Sequence, residues 1–98
     1  MDTAQQIEWA AKQVEALPHE LSWRASVLRQ LQYCQAVLSG TEPPERLEEL
    51  TMGFIAVREL EGWQPEELPR TISAVQYELQ QRYLPYAAKV RLGIHRRT

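Results

Sequence analysis

The chain has 98 residues, 44% of them hydrophobic and 24% charged, with a formal net charge of −2. That length gives one domain, residues 1–98, with a thin core between its secondary elements and little room for a deep catalytic cavity as well. The composition excludes a disordered chain, which would carry fewer apolar residues and a larger charge imbalance, and no apolar stretch approaches the roughly 20 residues that cross a bilayer.

The opening Met1-Asp2-Thr3-Ala4-Gln5-Gln6 has neither the basic start nor the apolar run of a secretory signal, so the expected compartment is the cytosol. Residues 3–17 read as a first helix, because Ile7, Ala11, Val14 and Leu17 recur at steps of three and four and make one apolar stripe. Asp2 or Thr3 supplies the capping oxygen. Pro18 ends the segment, since the residue before a proline is pushed out of the helical region. A second helix is predicted over residues 21–39, with Val27, Leu28, Leu31, Cys34 and Leu38 inward and Ala25 allowing a close approach. Gly40 closes it in the left-handed conformation. Thr41-Glu42-Pro43-Pro44 is a stiff connector, and Pro44 suits a first helical position, where its missing N–H is not needed.

A third helix is predicted over residues 45–60, with Leu47, Leu50, Phe54 and Val57 as its core face. Gly53 in its middle costs ~1 kcal/mol relative to alanine; the expected return is a second helix crossing there, where the missing Cβ lets two backbones approach. Gly62-Trp63-Gln64-Pro65 breaks the chain again. A fourth helix begins between Pro65 and Pro69 and carries Ile72, Val75, Leu79 and Tyr83. Pro85 predicts a kink or break, residues 86–92 a last short helix, and residues 93–98 a frayed basic tail. Strict apolar–polar alternation and Asn-Gly or Asp-Gly turns are both missing, so strands are not expected. The predicted architecture is all-α, a compact bundle of four to five helices.

The chemistry-bearing residues are sparse. Cys34 is the sole cysteine, so no intramolecular disulfide forms, and its apolar helical setting marks it as a small buried hydrophobe. His19 and His95 sit in a loop and a tail, where neither makes a dyad with it. One cysteine and two distant histidines give no metal-ligand spacing, and Gly40, Gly53, Gly62 and Gly93 are isolated rather than clustered into a phosphate loop. No catalytic, cofactor-binding or metal-binding residue is therefore assigned, and the chain is not expected to be an enzyme. His95-Arg96-Arg97 and the basic fourth helix are candidates for phosphate contact. The acidic balance repels a polyanion, however, and no compact basic recognition helix stands out, so nucleic acid is not an expected partner.

Charge is unevenly spread. Residues 42–67 hold eight glutamates against Arg46 and Arg58, a balance of −6, whereas residues 68–98 hold six basic residues against Glu78, a balance of +5. The asymmetry has two explanations. Acidic and basic helices pack side by side as a salt-bridged surface, or the acidic segment is a docking face for a basic partner, where complementary charge speeds encounter and rejects wrong partners. Trp9, Trp23 and Trp63 are many for so short a chain, and aromatic anchors ringed by charge are typical of interaction hot spots. Trp9 lies off or at the margin of its helix stripe, Trp23 can pack at the start of the second helix, and Trp63 is either a plug on the end of the bundle or a contact residue.

Two stretches carry a resemblance. Val27-Leu28-Arg29-Gln30-Leu31-Gln32-Tyr33, continuing to Val37-Leu38, and Leu50-Thr51-Met52-Gly53-Phe54-Ile55-Ala56-Val57-Arg58-Glu59 resemble a family of small all-helical immunity proteins. These neutralise toxin domains delivered between bacteria by the type VI secretion system, among them toxins that hydrolyse NAD(P)+ and toxins with other nucleotide-directed activities. The similarity covers residues 24–60. It implies an antitoxin that binds its cognate toxin domain in the cytosol and occludes the active site, without chemistry of its own. A toxin acting on polyphosphate nucleotides needs a basic cleft, for which Glu45, Glu48, Glu49, Glu59 and Glu61, with Trp63 as an apolar anchor, are the expected contact residues. Gln30 and Gln32 serve either the bundle or the toxin contact, and Tyr33 is expected to be structural. The alternative from another class is a helical adaptor or assembly protein with no toxin partner.

Overall fold

The computed structural model describes residues 1–95, in which five α-helices and one 3₁₀ segment follow in order: α1 (Thr3–Glu15), α2 (Arg24–Ser39), the 3₁₀ segment (Pro44–Glu49), α3 (Met52–Glu59), α4 (Glu67–Tyr83) and α5 (Tyr86–Leu92). The protein is all-α, with no strand among the described residues.

Asp2 starts α1. Its carboxylate accepts the Gln5 backbone N–H at 2.8 Å while the Gln5 side-chain Oε1 accepts the Asp2 N–H at 2.9 Å, a reciprocal capping box. The helix stops two residues short of the predicted end, because Arg24 reaches back to its terminus. Nε donates to the Val14 carbonyl at 3.2 Å and Nη2 to the Glu15 carbonyl at 2.7 Å, placing a cation where the helix dipole is negative. α2 accordingly begins at Arg24 rather than at residue 21, and it closes as expected at Gly40, whose φ is 81°.

The core joins Ile7, Ala10 and Val14 of α1, Val27, Leu31, Cys34 and Val37 of α2, and Leu68, Ile72, Val75 and Leu79 of α4. α1 packs against both of the others. Ala10 rather than Ala11 is fully buried, Leu28 and Leu38 sit at the core margin, and Ala25 is exposed, so no close approach occurs there.

The main departure from expectation is the predicted helix over residues 45–60. The 3₁₀ segment has three residues per turn, and Leu50 after it is extended, with ψ 132°. Helical phase is therefore lost before α3 begins. Leu47 and Leu50 are buried as predicted, but Phe54 and Val57 turn outward, and Met52, Gly53, Ala56 and Leu60 take the inner positions. The crossing expected at Gly53 is present. A Cβ there would lie 3.1 Å from Gln76 Oε1 and 3.5 Å from the Ser73 Cα, so α4 runs directly beneath it.

α4 begins at Glu67, between the two prolines, with Pro69 in the first turn where its missing N–H does no harm. The break at Pro85 is complete: Leu84 is extended and Pro85 leads into α5. Residues 93–95, expected to fray, are held. Gly93 is left-handed, the Ile94 N–H donates to the Lys89 carbonyl at 3.0 Å, and the Gln81 side chain donates to the Ile94 carbonyl. The remainder of the predicted basic tail, residues 96–98, lies outside the described residues. Among the described residues no helix is long and apolar enough to cross a membrane.

Candidate protein-docking surface

The 3₁₀ segment and α3 form an arm that the rest of the molecule holds in place. α3 has eight residues, and Thr51 at its N-cap makes no side-chain capping bond. So short a helix is marginal alone, and its free amides are satisfied by glutamines from other helices. The Gln30 Oε1 accepts from the Thr51 N–H at 2.8 Å and the Met52 N–H at 2.7 Å. Gln76 Oε1 accepts from the Gly53 N–H at 2.8 Å, and its Nε2 donates to the Leu50 carbonyl at 3.3 Å. Gln80, only 4% exposed, donates to the Leu47 carbonyl at 2.8 Å. The Tyr33 hydroxyl donates to the Pro43 carbonyl at 2.5 Å and accepts from the Arg46 N–H at 3.1 Å. Partial burial pushes its pKa up, against the opposing pull of Arg46.

Gln30 and Tyr33 are thus structural, whereas Gln32 is exposed and makes no hydrogen bond within the described residues. Gln76 and Gln80 were not singled out from the sequence. Their signal was a pair of amides four residues apart beside the Ile72–Val75–Leu79 stripe, where burial demands a polar partner.

The six predicted contact residues fall into two groups. Glu45, Glu48 and Glu49 lie on the 3₁₀ segment, while Glu59, Glu61 and Trp63 lie at the far end of α3, a helix of about 12 Å at 1.5 Å rise per residue. Glu45 and Glu61 are exposed and free of ion pairs among the described residues. Glu49 lies 3.8 Å from Arg46, and Glu59 lies 3.0 Å from Arg58. Glu48 makes a forked pair with Arg91 of α5, at 2.9 and 3.1 Å. That guanidinium holds the Glu48 carboxyl below its ordinary pKa and is itself raised. Trp63 is half-buried against the core, as are Trp9 and Trp23.

Packing leaves the acidic segment largely uncompensated. Of the ion pairs among the described residues, Glu48–Arg91 alone joins the acidic and basic segments, and the others link residues no more than four apart. Glu42, Glu45, Glu61, Glu66 and Glu67 are all exposed without a basic partner there.

Other chemistry has little to work with. Among the described residues no group of three His, Cys, Asp or Glu side chains converges as a metal would require. Cys34 is fully buried and its thiol is pushed up to about 12 by that burial, so it carries no thiolate at neutral pH. An open groove of about 590 Å³ runs between α2 and the 3₁₀ segment, and Arg29, Gln32, Glu42, Arg46 and Glu49 line it with mixed charge.

The fold is, by class, a small helical bundle whose acidic residues 42–67 are mostly left without basic partners among the described residues. The sequence model of the Tsi6 family matches residues 3–81, and the chain belongs to this family of type VI secretion immunity proteins. The match takes in α1 through all but the last two residues of α4, and α5 lies beyond it. No curated protein and no solved structure matches the chain.

Proposed function

We propose that the protein is an immunity protein that binds the catalytic domain of a cognate type VI toxin in the cytoplasm and blocks its active site, with no catalysis of its own. Family membership supports the class of function. The observation that carries the mode of action is the uncompensated acidity of residues 42–67. A toxin that hydrolyses NAD(P)+ or transfers pyrophosphate to nucleotides must attract phosphates, and a surface of carboxylates competes for the same positive potential. Glu45, Glu48, Glu49, Glu59 and Glu61, with Trp63 as an apolar anchor, are the proposed contact residues. Among them Glu45 and Glu61 are the cleanest probes, because no internal ion pair is lost when they change.

A charge-reversal series tests the surface. Glu45→Lys and Glu61→Lys together should weaken binding to the purified toxin domain about 10–100-fold, chiefly through slower association, with a shallower salt dependence. Unchanged affinity and salt dependence would discard this acidic surface.

A further inference from the structure

The face that α3 turns outward is apolar. Phe54 is 66% exposed and Val57 63%, about one helical turn apart, while Gly53 and Ala56 on the adjoining inner face are buried. Single exposed apolar residues need no explanation, but two bulky ones on adjoining turns of one helix mark an interaction site. The Arg58 guanidinium lies over the Phe54 ring at 5.1 Å and is held by Glu59 at 3.0 Å, and the ring still keeps most of its surface open.

We infer that this outward face of α3 is the apolar centre of the toxin-docking surface, with Phe54 and Val57 entering an apolar recess that has a basic rim. The assignment rests on the immunity function proposed above and adds to it the residues that anchor the complex. Charge selects the occupant. Exposed, unpaired Glu45 precedes α3 and Glu61, Glu66 and Glu67 follow it, so the chain on both sides of the apolar face is acidic. A second copy of the chain meeting this face about a two-fold axis would set two segments of balance −6 against each other, and like charges across an interface oppose association. A basic partner surface instead gains from every one of those carboxylates. The layout, apolar at the centre and charged at the edge, is that of protein interfaces whose few central side chains dominate affinity. The arm is also preorganised, since Gln30, Gln76 and Gln80 fix its backbone before any partner arrives.

The test uses the full chain and the purified catalytic domain of its cognate type VI toxin, with binding measured by calorimetry and folding by thermal melting. Phe54→Asp/Val57→Asp should weaken binding by about 100-fold or more, and Phe54→Ala/Val57→Ala by at least about 10-fold, with melting within a degree or two of the parent. Wild-type affinity in both double variants would overturn the docking face and leave the immunity function standing. Failure of the unmodified chain to bind or inhibit the toxin domain would instead remove the function on which the face depends. A concentration-dependent dimer of the unmodified chain that Phe54→Asp makes monomeric would reassign the face to self-association and overturn the inference.

Discussion

The bundle formed by α1, α2 and α4 and the arm formed by the 3₁₀ segment and α3 solve the same problem in opposite ways. Each bundle helix is long enough to bury an aliphatic stripe, and local signals mark α1 and α2, which open at Asp2 and close at Gly40 respectively. The arm has eight helical residues, no capping side chain of its own, and backbone groups satisfied by Gln30, Gln76 and Gln80 from elsewhere. It also exposes what the bundle hides, two large apolar side chains, and most of the unpaired acid lies in the segments that flank it in sequence. A segment held by borrowed hydrogen bonds can spend its side chains outward. The docking role proposed for the arm uses this freedom.

Substitutions that loosen the arm without touching the bundle sharpen this contrast. The largest effect is expected at the crossing with α4. Gly53→Leu drives a side chain into Gln76 and Ser73 and should destabilise the protein by about 2–3 kcal/mol in urea unfolding. If stability is unchanged, α3 does not lie against α4 as described. Gln30→Leu comes next, at about 1–3 kcal/mol, because it strands the part-buried Met52 N–H. Hydrogen exchange should localise that loss: amides of residues 51–54 lose protection while those of α1 keep theirs. Uniform loss across both regions would mean that the arm and bundle are one cooperative unit. The smallest effect is at Glu48. Its carboxyl titrates below the ordinary value of 4.5, so the pair with Arg91 stabilises the fold at neutral pH, and that contribution fades as pH falls through the native pKa. Glu48→Gln should therefore melt slightly below the parent at pH 7, with the two converging once the pH falls below the native pKa of Glu48. A gap that persists there would show that the pair is not what Glu48 contributes.

The same contrast explains what could be read from the sequence. The bundle was legible because its signals are local and periodic. Ile7 and Val14, then Val27, Leu31 and Cys34, then Ile72, Val75 and Leu79 recur at helical spacing, and Pro18, Gly40 and Pro85 punctuate them. The arm was not, because two 3₁₀ turns and one extended residue shift the phase without interrupting the apolar pattern. Leu47, Leu50, Phe54 and Val57 look like a single stripe, yet only the first two are buried. Thr51, a residue type that favours helix starts, was the local hint of a fresh helix. The acidic candidates were visible as composition. Their distribution to the two ends of α3, and the apolar face between them, required the fold.

On the function proposed above, this protein silences a toxin by occupying it. The most direct measurement is a titration of the purified chain into a fixed amount of the cognate toxin domain while nucleotide turnover is followed. Turnover should fall linearly to zero at one equivalent, with the nucleotide substrate competing at high concentration. Turnover that continues undiminished in molar excess of a folded chain would contradict the proposed function.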